Sequence, residues 1–161
     1  MKNILFTLAI LISFVSFGQT AEDYFISGYD KAEAKDYYGA ISDYTKAIEI
    51  DPNDADTFYN RGLSKADLKD YYGAISDYTK SIELDPNNTN AFYNRGIAKD
   101  DLKDYYGAIS DYSKAIELNP NDADAYNNRG NAKADLKDYY GAISDYSKAI
   151  EIDPNDADAF Y

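Results

Sequence analysis

Tyr71-Tyr72-Gly73-Ala74-Ile75-Ser76-Asp77-Tyr78 decides the fold, because the chain writes it more than once. The same string begins at Tyr37, Tyr105 and Tyr139, a step of 34 residues each time. Pro52, Pro86, Pro120 and Pro154 keep that step. A fixed period of this length marks a repeat array rather than one irregular domain. The units run 21–54, 55–88, 89–122 and 123–156, and residues 157–161 open a truncated fifth.

Within a unit the spacing predicts two helices. In 55–88, Asp54 stands where it can cap the first, with Asp56 favourable in its opening turn. Phe58, Gly62 and Lys65 follow at helical steps, and Tyr59, Leu63 and Ala66 form a second stripe. Asp70 then offers its carboxylate to the free N–H groups of a second helix. Tyr71, Ala74, Ile75, Tyr78 and Ile82 share one face of that helix. Pro86 ends it, and Asn88 caps the next. A lone pair of this size cannot offset the entropy of ordering it, so neighbouring units must cover each other's apolar faces.

This layout resembles the tetratricopeptide repeat, a helix–turn–helix unit of about 34 residues with an aromatic, a Gly, an Ala, a second aromatic and a Pro at set offsets. The first aromatic is Tyr24, Phe58, Phe92 or Tyr126, and the glycine is Gly28, Gly62, Gly96 or Gly130. The alanine is Ala40, Ala74, Ala108 or Ala142, and the second aromatic is Tyr44, Tyr78, Tyr112 or Tyr146. The resemblance implies an all-α fold, a right-handed superhelical solenoid whose first helices line a concave groove. Two places depart from the pattern. The family's Leu before the glycine is Ser27, Arg61, Arg95 or Arg129, and its Tyr three places after it is Lys31, Lys65, Lys99 or Lys133. Their stems are expected to lie along apolar surface with the charged ends in water.

Composition narrows the function. The net charge is −13, and there is no Cys, His or Trp. That removes thiolate and imidazole metal sites, cysteine nucleophiles and every histidine-based proton relay. An acidic balance disfavours nucleic acid and anionic lipid. Asp51–Asp56 looks calcium-like, but Ala55 stands at a ligand place and Asp56 at the glycine place of an EF-hand loop, so turn and helix cap are expected. Ser42 and Lys46 recur with every unit on a solvated face, which argues against a catalytic pair, and Asp43 with Lys46 reads as an ordinary surface ion pair. No enzyme, cofactor or metal is expected.

Residues 1–18 have another character. Lys2 precedes a mostly apolar run from Ile4 to Phe17, followed by small residues at Ser16 and Gly18. That is the layout of a signal peptide cleaved after Gly18; the alternative, a retained N-terminal anchor, is disfavoured because a spanning helix needs about 20 apolar residues. Ending in Phe17-Gly18-Gln19, it is similar to bacterial export signals and implies a periplasmic or secreted product.

The groove candidates are the first-helix residues not required within a unit: Tyr59, Asn60, Leu63, Tyr93, Asn94, Ile97, Asn127, Asn128 and Asn131. Glu22, Glu33, Asp56, Asp67, Asp101, Asp124 and Asp135 flank them. Rings supply contact area and amides pair with a peptide backbone. Tyr59 and Tyr93 serve equally well as filling between units. Some family members grip a C-terminal carboxylate with Lys on this face, but Asp56, Tyr59, Asp124 and Asn127 hold those places here. The expected function is a non-catalytic scaffold for a neutral or basic protein or peptide. The alternative is a spacer or self-assembling module of a longer envelope protein, forming a homo-oligomer through the uncapped C-terminal end.

Overall fold

The computed structural model describes residues 19–154. The export-signal reading of 1–18 and the truncated fifth unit at 157–161 fall outside the described residues. Those residues form eight helices in order: α1 (Ala21–Glu33), α2 (Tyr37–Ile50), α3 (Ala55–Asp67), α4 (Tyr71–Leu84), α5 (Thr89–Asp101), α6 (Tyr105–Leu118), α7 (Ala123–Asp135) and α8 (Tyr139–Ile152). Each odd helix packs on the even helix that follows it, each even helix packs on the next odd one, and successive odd helices touch. The anticipated all-α solenoid is what the chain forms.

Every boundary has a local cause. Asp36, Asp70, Asp104 and Asp138 cap the even helices through the N–H groups of Gly39, Gly73, Gly107 and Gly141. A Cβ on Gly73 would come within 2.2 Å of the Asp70 carboxylate, so glycine leaves room for the cap. Asn88 caps α5 through the Ala91 N–H, and Asp54 caps α3 through the Asp56 N–H. Thr20, outside the predicted unit, closes a capping box with Asp23. The first helix of a pair ends on a left-handed lysine, such as Lys69 at φ 63°. The Lys69 N–H bonds the Ala66 carbonyl and the Asp70 N–H bonds the Lys65 carbonyl, which is a Schellman turn. Asp70 thus ends one helix and starts the next.

The crossing within each pair is set by glycine against tyrosine. A Cβ on Gly96 would lie 2.7 Å from Tyr112 Cε1, inside the ring's contact distance. Tyr44, Tyr78 and Tyr112 are almost completely buried there. Ala98 of α5 packs on Ala74 and Tyr78 of α4, and Ala132 of α7 packs on Ala108 and Tyr112 of α6.

The charged departures behave differently from expectation. Their charged ends lie on buried carboxylates rather than free in water, although Lys31 keeps 39% of its side chain exposed. Arg61 grips Asp77 with Nε and Nη2 at 2.8 and 2.7 Å, and Lys65 Nζ adds a third contact at 2.7 Å. Arg95 and Lys99 hold Asp111, and Arg129 and Lys133 hold Asp145, in the same way. The aspartates are buried, so their charge is tolerable only when paired and hydrogen-bonded. The Arg fork matches a carboxylate's two oxygens and so selects this arrangement. Asp43 is also buried, held by Lys31, Ser27 and Lys46, and the surface-pair expectation is corrected accordingly. Burial alone would push its carboxyl up, but those three donors hold it at about 2. Each Arg also reaches back one unit: Arg61, Arg95 and Arg129 Nη1 donate to Thr45, Thr79 and Ser113 at 3.0–3.1 Å.

Candidate binding groove

Successive junctions leave repeated hollows. One of about 490 Å³ is bordered by Tyr29, Glu33, Tyr37, Tyr44, Asn60, Leu63 and Asp67, among others. The corresponding hollow one unit on, of about 250 Å³, is bordered by Leu63, Asp67, Tyr71, Tyr78, Asn94, Ile97 and Asp101. Asn60, Leu63, Asn94 and Ile97 therefore border two successive hollows that share Leu63. Tyr37 and Tyr71 belong to even helices and were missed when the groove was drawn from first helices alone. First-helix spacing gives no sign of them, because they open the second helices just after the turn.

Tyr59 and Tyr93 have a double role. Their rings lie 5.9 Å from the core rings of Tyr78 and Tyr112, so they fill the junction. Their hydroxyls reach the next unit, where Asn94 Nδ2 donates to Tyr59 at 3.0 Å and Asn128 Nδ2 to Tyr93 at 2.8 Å. Phe25 stands at the equivalent place in the first unit and has no hydroxyl for Asn60. Asn60 donates to its own helix, at the Asp56 carbonyl 2.8 Å away, a bond that Asn94 also makes to the Asn90 carbonyl at 3.0 Å. The fourth unit differs too. Asn127 is only 7% exposed, and it borders neither of these hollows. Asn131 is exposed and accepts from the Tyr146 hydroxyl at 2.7 Å.

The electrostatic character is mostly negative, although Lys35 stands beside Glu33 and Asp67 at the border of the first hollow. Tyr37 is shifted up by desolvation and then by the Asp67 carboxylate beside it, and Tyr71 likewise by desolvation and Asp101. Burial pushes Tyr93 up to about 12, with Asp124 and Asp122 adding to it. Asp100 is raised by burial and by its neighbours Asp135 and Asp101. A second hollow, against Phe25, carries Glu22, Asp51, Asp54 and Asp56. The calcium-like run is used for turns: Asp51 accepts from the Asn53 N–H, and Asp54 accepts from the Asp56 N–H and the Thr57 hydroxyl. Among the described residues no group of three or more acidic side chains is placed to hold a metal ion.

Three sequence models agree with this architecture. Two are described as tetratricopeptide repeat, matching 55–88 with 123–156 and 77–109, and one as TPR repeat, matching 28–69 and 101–137. No curated protein sequence matches the chain. Among solved structures, the crystal structure of MamA superposes with a TM-score of 0.81 at 32% identity, covering 83% of this chain and 78% of that one. YrrB, described as a TPR protein with an unusual peptide-binding site, gives 0.81 at 26%, covering 87% and 72%. The first TPR of Spaghetti (RPAP3), bound to the HSP90 peptide SRMEEVD, gives 0.72 at 29%, covering 74% and 94%. With its repeat period, glycine–tyrosine crossings and stacked pairs matched in both sequence and structure, the chain belongs to the tetratricopeptide repeat family.

Proposed function

We propose that the chain is a non-catalytic scaffold whose inner groove holds a segment of a neutral or basic partner protein. The observation that carries this reading is the row of hollows in which Asn60 with Leu63, and Asn94 with Ile97, sit between the carboxylates of Glu33, Asp67 and Asp101. Amides address a peptide backbone, the apolar groups take alternate side chains, and the carboxylates favour Lys or Arg. YrrB and the RPAP3 repeat, both similar in fold, are peptide binders by their descriptions. The RPAP3 peptide is acidic, whereas this groove would repel such a ligand, so the reading inverts the partner's charge. The Met1–Gly18 pattern supports action outside the cytoplasm.

Calorimetry with peptides of equal length and opposite charge tests the proposal. The basic series should bind more tightly, with affinity falling as salt rises from about 0.05 to 0.5 M. The paired variant Asn60→Ala/Asn94→Ala should weaken binding by about tenfold while leaving the helical spectrum unchanged. Preference for acidic peptides, or affinity indifferent to salt, would overturn the charge assignment.

A further inference from the structure

The aromatic one unit upstream of each groove amide decides what that amide has left to offer. Asn94 Nδ2 carries two hydrogens. One goes to the Asn90 carbonyl and the other to the Tyr59 hydroxyl, both at 3.0 Å. Asn94 therefore meets a ligand with its carbonyl oxygen alone. Asn128 is engaged by Tyr93 in the same manner, at 2.8 Å. The two pairs have the same separation of 35 residues, so the lock is a property of the repeat.

The first junction has the ring of this lock without its hydroxyl. Phe25 lies 5.8 Å from Tyr44 at an interplanar angle of 54°, as Tyr93 lies 5.9 Å from Tyr112 at 55°. Phe25 also stands 35 residues before Asn60, at the separation of the two locked pairs. Asn60 spends one hydrogen on the Asp56 carbonyl. Among the described residues nothing takes its other hydrogen and nothing donates to its carbonyl oxygen. Both free groups stand at the border of the larger hollow, about 490 Å³ against about 250 Å³ for the hollow of Asn94. A free N–H exchanges water for a ligand carbonyl at little cost, whereas recruiting an N–H of Asn94 breaks a bond already made.

We propose that Phe25 makes Asn60 the principal backbone grip of the groove, one that takes an extended peptide segment and not a helical one. Asn60 donates its free N–H to a backbone carbonyl of the segment and accepts a backbone N–H on its oxygen, while Asn94 only accepts. An extended segment offers unpaired carbonyl and N–H groups to such an amide. The interior of a helix has spent both on itself. The hollow beside Asn60 has room for a long side chain on the gripped residue. The inference rests on the groove reading and adds which amide dominates, which residue sets it and which backbone conformation fits.

The test uses the full chain and a labelled peptide of alternating lysine and threonine, read by fluorescence anisotropy. Phe25→Tyr keeps the ring and supplies the missing hydroxyl, which captures the free N–H of Asn60. It should weaken binding by about threefold to tenfold, the worth of one hydrogen bond. Its melting temperature should stand at or above that of the parent, because the units gain a bond. Asn60→Ala should weaken binding at least as much, and adding Phe25→Tyr to Asn60→Ala should change nothing further. A hydrocarbon-stapled helical peptide of the same net charge should bind less tightly than the extended one. Phe25→Tyr binding as tightly as the parent, or weakening the Asn60→Ala chain equally, overturns the inference. A lowered melting temperature in Phe25→Tyr, or equal binding of the helical peptide, overturns it too. In each of these cases the groove reading stands provided that Asn60→Ala/Asn94→Ala still weakens binding. A peptide indifferent to that pair overturns both.

Discussion

Replacing Asp111 with Leu probes the most unusual feature of the interior. Asp111 accepts from Arg95 Nε and Nη2 at 2.9 and 2.7 Å and from Lys99 Nζ at 2.7 Å. Its side chain is 5% exposed, that of Arg95 15% and that of Lys99 20%. Leu removes the acceptor and leaves two cations side by side. Breaking a buried ion pair from one side costs about 3–5 kcal/mol. Lys99 can redirect its ammonium to water along its flexible stem, which puts the figure at the lower end, about 3 kcal/mol. With a urea slope of about 2 kcal/mol/M, the midpoint should fall by about 1.5 M. The triple variant Arg95→Leu/Lys99→Met/Asp111→Leu removes all three charges together and should return to within about 1 kcal/mol of the parent, or exceed it. The assay is urea unfolding followed by circular dichroism. A single variant within about 0.5 kcal/mol of the parent would refute the claim that the aspartate is a buried hub.

Other perturbations have equally definite outcomes. Gly96→Ala places a methyl 2.7 Å from the buried Tyr112 ring, which has nowhere to move, and should cost about 1–3 kcal/mol in the same urea assay. Lys103→Gly relieves a residue held at φ 62° and should raise stability by about 0.5–1 kcal/mol, read as a higher melting temperature. In acid, the Asp43 carboxyl, held at about 2 in the fold against an ordinary value near 4, favours the folded state above about pH 4. That contribution should disappear as pH falls toward 2, and Lys31→Met should flatten the acid limb of the melting-temperature profile. In alkali, burial first and then neighbouring charges push Tyr44 and Tyr93 up to about 12, so their neutral forms belong to the fold. Melting temperature should therefore fall as pH rises from about 10 toward 12.

The repeat period, the caps at Asp70 and Asn88 and the glycine–aromatic crossing were legible because each is a local or strictly periodic signal. The buried aspartates were not. Asp43 and Lys46 are three residues apart on one helix, which invites a surface reading, whereas the deciding partners of Asp77, Asp111 and Asp145 lie 16 residues upstream on another helix. A signal existed in the joint presence of Arg61, Arg95 and Arg129 with those aspartates, but only the packed pair shows that the faces meet. Groove residues divided along similar lines. Asn60, Leu63, Asn94 and Ile97, which helical spacing puts on one stripe, border the hollows, whereas Asn127, at the place of Tyr59 and Tyr93, is buried.

Side-chain NMR on the labelled chain, titrated with a basic peptide, tests the central claim most directly. The account predicts shifts in the amide groups of Asn60 and Asn94 and in the methyl groups of Leu63 and Ile97, with those of Ile82 and Ile116, packed around Phe92 and bordering neither hollow, left in place. Shifts concentrated on the even helices, with Asn60 and Asn94 unmoved at saturation, would contradict it.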